Sequence, residues 1–468
     1  MSTVVNVLGD HVVPVGSDAD GGALTVVDLF CGAGGLSEGF RRAGYQVTAG
    51  SDHDPDAIAT YAANFPDAVA LCGDVRDAEL REQLDEAAAG ADVLVGGPPC
   101  QAFSQVRNHT RLIDDPRNSL YREFVSAVGA ALPDAFMMEN VPGMAQMGVK
   151  EQVMTDLSLD GEYTVVPQLV DAADFGVPQT RKRLLFLGVR TALSAEPPTL
   201  VGTGATGAVQ LVRFADHSAA VGGTTVSADA PIPGYVPTAR PDARGERVAL
   251  ALADPFDPSV VSVEQALGDL TALQTGRRAE TLSTSELPDP TSAYQRMMRD
   301  GHRDELGNVS VPRMQADTAL RLAGIPAGGN HRDLSEQLQA RYLTGAKWGP
   351  SNGSGRLGRA HYYAYRRLHP EMWAWTLNTK GDSAYHWSSA RCLSVREFAR
   401  LQSFPDSFTF TTDARRGPLT GRIDGGAAHS RYRQAGNAVP PLLAAAAATV
   451  LRETVLAARA RRDATLRS

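Results

Sequence analysis

From residue 25 to residue 190, short apolar runs alternate with stretches of helical character, and this alternation limits the possible folds more than any other feature. The runs occupy residues 26–29, 46–50, 69–72, 93–95, 136–138 and 184–187. Strands separated by helices are returned by crossovers, so they lie side by side and mostly parallel. The expected fold is α/β: a doubly wound, mostly parallel sheet, with ligands at the carboxyl ends of its strands. Past residue 191 the texture changes. Ala, Gly, Thr and Pro dominate residues 194–240 without a sustained period, and 324–329 and 349–358 are further glycine-containing loops. Helical signals return at residues 394–402, where Ser394 and Glu397 suit a capping box. An Ala-rich stretch at 440–462 closes the chain as an expected helix. The division expected is a lead-in at 1–24, a first domain at 25–190, a smaller second domain at 191–390, and a return segment at 391–468 that completes the first.

Reactive side chains stand at the tips of several of these runs. After 93–95 comes Gly96-Gly97-Pro98-Pro99-Cys100-Gln101; after 136–138 comes Glu139-Asn140-Val141-Pro142; before 184–187 stands Gln179-Thr180-Arg181-Lys182-Arg183. A thiol, a carboxyl group and an arginine pair are thus delivered to strand ends. The first run leads into Asp28-Leu29-Phe30-Cys31-Gly32-Ala33-Gly34-Gly35-Leu36-Ser37. Glycines there allow close backbone approach to a ligand, and the following helix N-terminus favours negative groups. Ser37 stands where the dinucleotide fingerprint needs its third glycine. Asp52 follows the second strand at the spacing of a ribose-binding carboxylate, and Asp74 ends the third. The alternative for both is helix capping.

The chain has 468 residues and a net charge of −8. That balance is uneven: residues 1–190 hold 13 basic and 27 acidic side chains, residues 391–468 hold 13 and 6. Residues 341–367 carry six basic side chains and no acidic one. A local basic patch, rather than global charge, is what meets phosphates. The four cysteines, at 31, 72, 100 and 392, show neither paired nor metal-ligand spacing, so a reduced, cytoplasmic protein without a metal is expected. The apolar run at 442–451 is too short to span a bilayer, and the N-terminus lacks the pattern of a secretory leader.

Pro-Pro-Cys-Gln, Glu-Asn-Val and Gln-x-Arg-x-Arg, in this order at strand ends, resemble the DNA (cytosine-5) methyltransferase family. Two later blocks agree: residues 391–405 and Gln434-Ala435-Gly436-Asn437-Ala438-Val439-Pro440. The resemblance implies S-adenosylmethionine as cofactor, with Phe30 against its adenine, Asp52 on its ribose, His53 beside the adenine and Asp74 accepting from the exocyclic amine. Gly32, Gly34, Gly35, Leu36, Val75, Pro98 and Asn437 would line the same site. It implies a covalent route in which the Cys100 thiolate attacks carbon 6 of cytosine, so that carbon 5 becomes an enamine able to take a methyl group. Glu139 would share a proton with ring nitrogen N3, Arg183 would hold the ring oxygen O2 and brace Glu139, and Arg181 would support the loop. The base that takes the carbon-5 proton is left open by the sequence, a water held near Gln101 being one candidate.

The same resemblance implies double-stranded DNA as partner, with the target base flipped out of the stack because a stacked ring offers neither face to attack. Residues 101–118 would close over the DNA, Ser104 and Arg117 touching phosphate. Residues 191–390 would form the target-recognition domain, with Arg341, Lys347, Arg356, Arg359, Arg366 and Arg367 as DNA contacts. A monomer without membrane attachment, paired with a restriction or defence system or acting alone, is expected. Two other readings stay open: a tRNA cytosine-5 methyltransferase, since one branch of the family carries the same motifs, and a non-catalytic DNA-binding relative.

Overall fold

The computed structural model describes residues 23–99, 120–146, 149–194, 198–200, 202, 210–213, 218–221, 224–227, 236–241, 247–251, 261–301, 304–338, 365–413 and 426–467. Its centre is a seven-stranded sheet in the order β3-β2-β1-β4-β5-β7-β6. The strands are β1 Thr25–Leu29, β2 Gln46–Asp52, β3 Val69–Cys72, β4 Val93–Gly96, β5 Ala135–Asn140, β6 Tyr163–Asp171 and β7 Lys182–Arg190. β1 to β5 are parallel, and β7 runs antiparallel between β5 and β6. Short two- and three-stranded pieces follow: β8 Gln210–Arg213, β9 Ser218–Val221, β10 Thr224–Ser227, β11 Val236–Pro241, β12 Arg247–Ala251, β13 Thr281–Ser283 and β14 Glu305–Gly307.

The helices of the first half are α1 Gly35–Arg42, α2 Pro55–Asn64, α3 Ala78–Ala88, α4 Leu120–Ala131, α5 Gly143–Gln146 and α6 Lys150–Ser158. Those of the second half are α7 Val263–Leu267, α8 Ala293–Arg299, α9 Ala316–Ala323, α10 Val395–Leu401, α11 Gly426–Asn437 and α12 Pro441–Arg467. Helices cover both faces of the sheet, so its central strands are apolar throughout. Val26, Val93 and Val95 face the α1 and α12 side; Val27, Leu29 and Leu94 face the side of α3 and α4. The first of these clusters runs on without a break through buried residues between 261 and 311 and between 368 and 410. The described parts of 261–390 therefore share a core with the sheet.

All six strands expected between 25 and 190 are present. β6 was not expected, because it is an edge strand. It is half-buried for most of its length and carries Pro167, which an edge tolerates where a central strand would not. Pairing with β7 still brings its end, Asp171, level with Lys182.

The capping box at Ser394 and Glu397 forms as expected and starts α10. This helix is buried on all sides. Arg400 bridges Asp269 and Asp406, and Arg391 grips both oxygens of Glu397. A buried pair stripped of one partner is strongly destabilising, so this block locks α7 and α10 together.

The closing helix α12 lies on α1, the helix after the first strand, with Tyr45 Oη donating to Ala448 O at 3.2 Å. By length and composition α12 could cross a membrane. In this fold its apolar side, from Leu442 to Leu451 and Val455, is covered by protein. The close approach depends on Gly39: a Cβ there would lie 2.3 Å from Ala444 Cβ and 2.6 Å from Pro441 O. Gly39→Ala gains about 1 kcal/mol of helix propensity, but backbone cannot move aside as a flexible side chain does. The expected result is a net loss of about 1–3 kcal/mol, read as a lower urea midpoint; an unchanged midpoint would refute this contact.

Candidate active site

Three strand ends meet at the edge where the sheet turns antiparallel. β4 closes with Gly96 and passes into Gly97-Pro98-Pro99, which leads to Cys100. Cys100 itself lies outside the described residues, as do Gln101, Ser104 and Arg117. The approach to it is well defined. Asn140, buried at the end of β5, donates from Nδ2 to Pro98 O at 3.2 Å and so ties the Pro-Pro turn to the neighbouring strand. Glu139 reaches over Gly97, where an added Cβ would stand 3.1 Å from Glu139 Oε2. Arg183, at the start of β7, pairs through Nε with Glu139 Oε1 at 2.5 Å. Its Nη1 donates to Lys182 O at 2.7 Å. The antiparallel register makes the meeting possible, since Glu139 stands opposite Leu185.

The two arginines of Gln-Thr-Arg-Lys-Arg have different surroundings. Arg181 is buried and donates to Leu377 O at 3.1 Å and Gly436 O at 2.7 Å. Burial lowers its guanidinium pKa, with Arg183 adding to the effect. Gln179 is equally occupied: it donates to Leu401 O and Gln402 Oε1 and accepts from Leu377 N. These two residues fasten segment 374–377 and the C-terminal blocks to this edge of the sheet. A cleft of about 410 Å³ opens beside Arg183, lined by Pro142, Asp171, Thr180, Lys182, Arg183 and Thr376. Asp171, Lys182 and Thr376 were not singled out from the sequence. Asp171 ends the unexpected strand, and Thr376 arrives from nearly 200 residues away through a hydrogen bond to Thr180 O at 2.7 Å.

At the same carboxyl edge of the sheet the glycine loop joins β1 to α1, Leu29 at the end of β1 standing opposite Gly96 at the end of β4. Phe30, Gly32 and Gly34 have φ of 59°, 53° and 99°. Gly34 could not carry a side chain, because its Cβ would lie 2.5 Å from Phe65. A Cβ on Gly32 would meet nothing within 4 Å, so this face of the loop is open to a ligand. Asp52 Oδ2 accepts from Gly32 N at 3.0 Å, and Asp52 Oδ1 accepts from Asp54 N and faces His53 Nδ1 at 3.2 Å. The Asp52 carboxylate raises the pKa of the exposed His53. Asp74 pairs with Arg76 at the end of β3. Neither Asp52 nor Asp74 caps a helix: the N-caps of α2 and α3 are Asp54 and Asp77. Leu36 and Val75 are buried, Gly35 packs on Val439 O, and Asn437 is exposed at the end of α11. Open glycine backbone flanked by carboxylate acceptors fits a nucleoside-containing cofactor such as S-adenosylmethionine.

Asp28 is a residue that sequence reading passed over. It is fully buried under the loop and accepts from Ser37 N and from Ser37 Oγ at 2.7 Å; Ser37 Oγ in turn meets Tyr61 Oη at 3.2 Å. Burial pushes its pKa up to about 7, against the hydrogen bonds from Ser37 and with help from Asp52. A folded-state pKa above the unfolded one means that the native protein binds the extra proton, so this contribution to stability is lost as pH rises from about 4 through about 7. Asp28→Asn is expected to remove that part of the slope. Wild type should lose stability relative to the variant between pH 5 and pH 8, measured by urea unfolding.

One expected DNA contact is corrected. Arg367 is buried, and its guanidinium donates to the carbonyls of Leu322, Ile325, His386 and Trp387. Burial lowers its pKa, and with its donors engaged on backbone it holds the fold and cannot reach phosphate. Arg366 is half-buried and stacks on Trp375, 3.7 Å from the ring centre. Arg341, Lys347, Arg356 and Arg359 lie outside the described residues.

An open, mostly parallel sheet with an antiparallel β7, a glycine loop after β1 and a Glu–Arg pair beside the Pro-Pro segment that precedes Cys100 define a methyltransferase of Rossmann-like fold. The family model for C-5 cytosine-specific DNA methylase matches residues 24–219 and 281–453. Type II methyltransferase M.AgeI of Thalassovita gelatinovora is 30% identical, covering 92% of this chain and all of that one. Type II methyltransferase M.DdeI of Desulfomicrobium norvegicum is 29% identical over 91% of this chain and 88% of its own length. A solved structure of an E. coli prophage protein, described as a DNA modification methyltransferase, shares the fold with a TM-score of 0.58 at 22% identity, covering 93% of this chain and all of that one. The chain belongs to the C-5 cytosine-specific DNA methylase family and is a DNA (cytosine-5)-methyltransferase of the bacterial modification type.

Proposed function

We propose that this enzyme methylates carbon 5 of a flipped-out cytosine in a specific duplex sequence through a covalent Cys100 adduct. The observation that carries the reading is the Glu139–Arg183 pair, 2.5 Å apart and set over Gly97, three residues before Cys100. S-adenosylmethionine, held by the glycine loop, Asp52 and Asp74, would supply an electrophilic methyl group on a sulfonium. The Cys100 thiolate adds to carbon 6 of the cytosine ring. Glu139 hydrogen-bonds ring nitrogen N3 and lowers the cost of placing electrons in the ring. Arg183 holds Glu139 through Nε, rests Nη1 on Lys182 O, and presents Nη2 to O2. Carbon 5 would then take the methyl group as the S–CH3 bond breaks and its electron pair stays on sulfur as a thioether; a base removes the carbon-5 proton, and the electrons returning to the ring expel the thiolate. Arg181 and Gln179 keep the edge in place from behind.

The target-recognition role falls to residues 191–390, whose basic stretch at 341–359 would meet the DNA; Ser104 and Arg117 would hold phosphate as residues 101–118 close. A monomer working in the cytoplasm, with or without a cognate restriction enzyme, suits this reading. The test is to incubate the protein with methyl-labelled S-adenosylmethionine and random-sequence duplex DNA, with tRNA as competitor, and to map 5-methylcytosine. Label at carbon 5 in one duplex sequence context supports the proposal. Label on tRNA alone would overturn it in favour of the RNA branch, and no label on either despite cofactor binding would favour a non-catalytic DNA-binding relative.

A further inference from the structure

Asp74 is half-buried two residues past the end of β3, and its carboxylate is fixed by a single neighbour. Arg76 reaches it three times: Nε donates to Oδ1 at 2.9 Å, Nη2 to Oδ2 at 2.5 Å, and its own backbone N–H to Oδ1 at 3.0 Å. The fork of the guanidinium lies along both oxygens and sets the carboxylate plane, which one ammonium cannot do. This arrangement lowers the pKa of Asp74 to about 2, mainly through the Arg76 side chain. Arg76 is more than half exposed, and no other hydrogen-bond or ion-pair partner of its side chain is described. Among the described residues its side-chain hydrogen bonds all go to Asp74, with Asp77 and Glu123 contributing only longer-range attraction. A carboxylate has about four lone-pair positions. Arg76 takes three, two of them on Oδ1, so the vacant one is on Oδ2.

We infer that Arg76 is a specificity-determining residue for the cofactor: it orients Asp74 so that the free lone pair of Oδ2 meets the exocyclic amine of adenine. The inference rests on the proposal that Asp74 reads the adenine edge. A preset acceptor costs less to engage than a freely turning one, and it discriminates against a ring that presents an oxygen at that position. Because the pair is partly exposed, salt should loosen it.

The test uses the full-length protein and calorimetric binding of S-adenosylhomocysteine and of its analogue with hypoxanthine in place of adenine. In Arg76→Ala the adenine compound is expected to bind about 3–10-fold more weakly, the scale of one oriented hydrogen bond, while the hypoxanthine compound changes less, so the preference between them narrows. Arg76→Lys should recover only part of it. Raising NaCl from 0.05 to 0.5 M should narrow the preference in wild type and leave that of Arg76→Ala nearly unchanged. Thermal unfolding at the wild-type midpoint would show that Arg76→Ala is folded. Wild-type preference in Arg76→Ala, with Asp74→Ala losing it, overturns the inference alone. Unchanged preference in Asp74→Ala overturns the underlying assignment of Asp74 and the inference with it.

Discussion

Cys100→Ala is expected to abolish methyl transfer to duplex DNA, by on the order of 10⁴-fold or more, the scale on which covalent enzymes lose rate when their nucleophile is removed. The reason is electronic. Carbon 5 of cytosine is too poor a nucleophile to take a methyl group until a thiolate has added at carbon 6, and no other side chain at the edge of β4 can perform that addition: Gly96, Gly97, Pro98 and Pro99 have none to offer. Cofactor affinity should be largely unchanged, because the glycine loop follows β1, Asp52 ends β2 and Asp74 follows β3, all outside the segment that carries Cys100. The covalent step can be seen directly with duplex DNA carrying fluorine at carbon 5 of the target. Methyl addition then leaves a carbon with no proton to remove, the thiolate cannot be expelled, and wild type should accumulate as a protein–DNA adduct stable to denaturant. Cys100→Ala should form none. Adduct formation by the variant, or turnover within tenfold of wild type, would remove Cys100 from the mechanism.

The parts that could be read from the sequence are those whose chemistry is local. Strand tips bearing Glu139 or Arg183 follow from apolar runs of the right length, and the glycine loop is recognisable because positive φ at Gly32 and Gly34, with the Phe65 ring against Gly34, favours glycine. What escaped depends on partners far away in the chain. β6 is unremarkable as a sequence and becomes a strand by pairing with β7. Thr376 enters the cleft because Arg181 and Gln179 fasten segment 374–377 to the catalytic edge. Arg366 and Arg367 look alike in a basic stretch, yet one stacks on Trp375 and the other is spent on four backbone carbonyls. A basic residue reads as a phosphate contact only when its donors are free, and no sequence pattern records that.

Glu139→Gln and Arg183→Ala are expected each to lower kcat by about 10²–10³-fold, the range for loss of a positioned proton donor or of an electrostatic anchor. Their double variant should lose little more than the worse of the two. The pair acts as one unit: Arg183 Nε holds Glu139 Oε1 at 2.5 Å, and each side chain is about one-tenth exposed. Removing Arg183 frees the carboxylate from its orientation over Gly97, and removing the charge at Glu139 leaves Arg183 without its brace. Non-additivity of this kind is what contact within one network produces, whereas independent sites would multiply their losses. Arg183→Lys should resemble Arg183→Ala in kcat, since one ammonium cannot engage both the carboxylate and O2. A structural role alone would give a different result. Arg181→Ala removes the hydrogen bonds to Leu377 O and Gly436 O, and it should lower the unfolding midpoint more than Arg183→Ala does. Single-turnover rates on a duplex with the target base already unpaired would isolate the chemical step from base flipping. Multiplicative losses there would mean that Glu139 and Arg183 act separately, and the pair would no longer be the centre of the site.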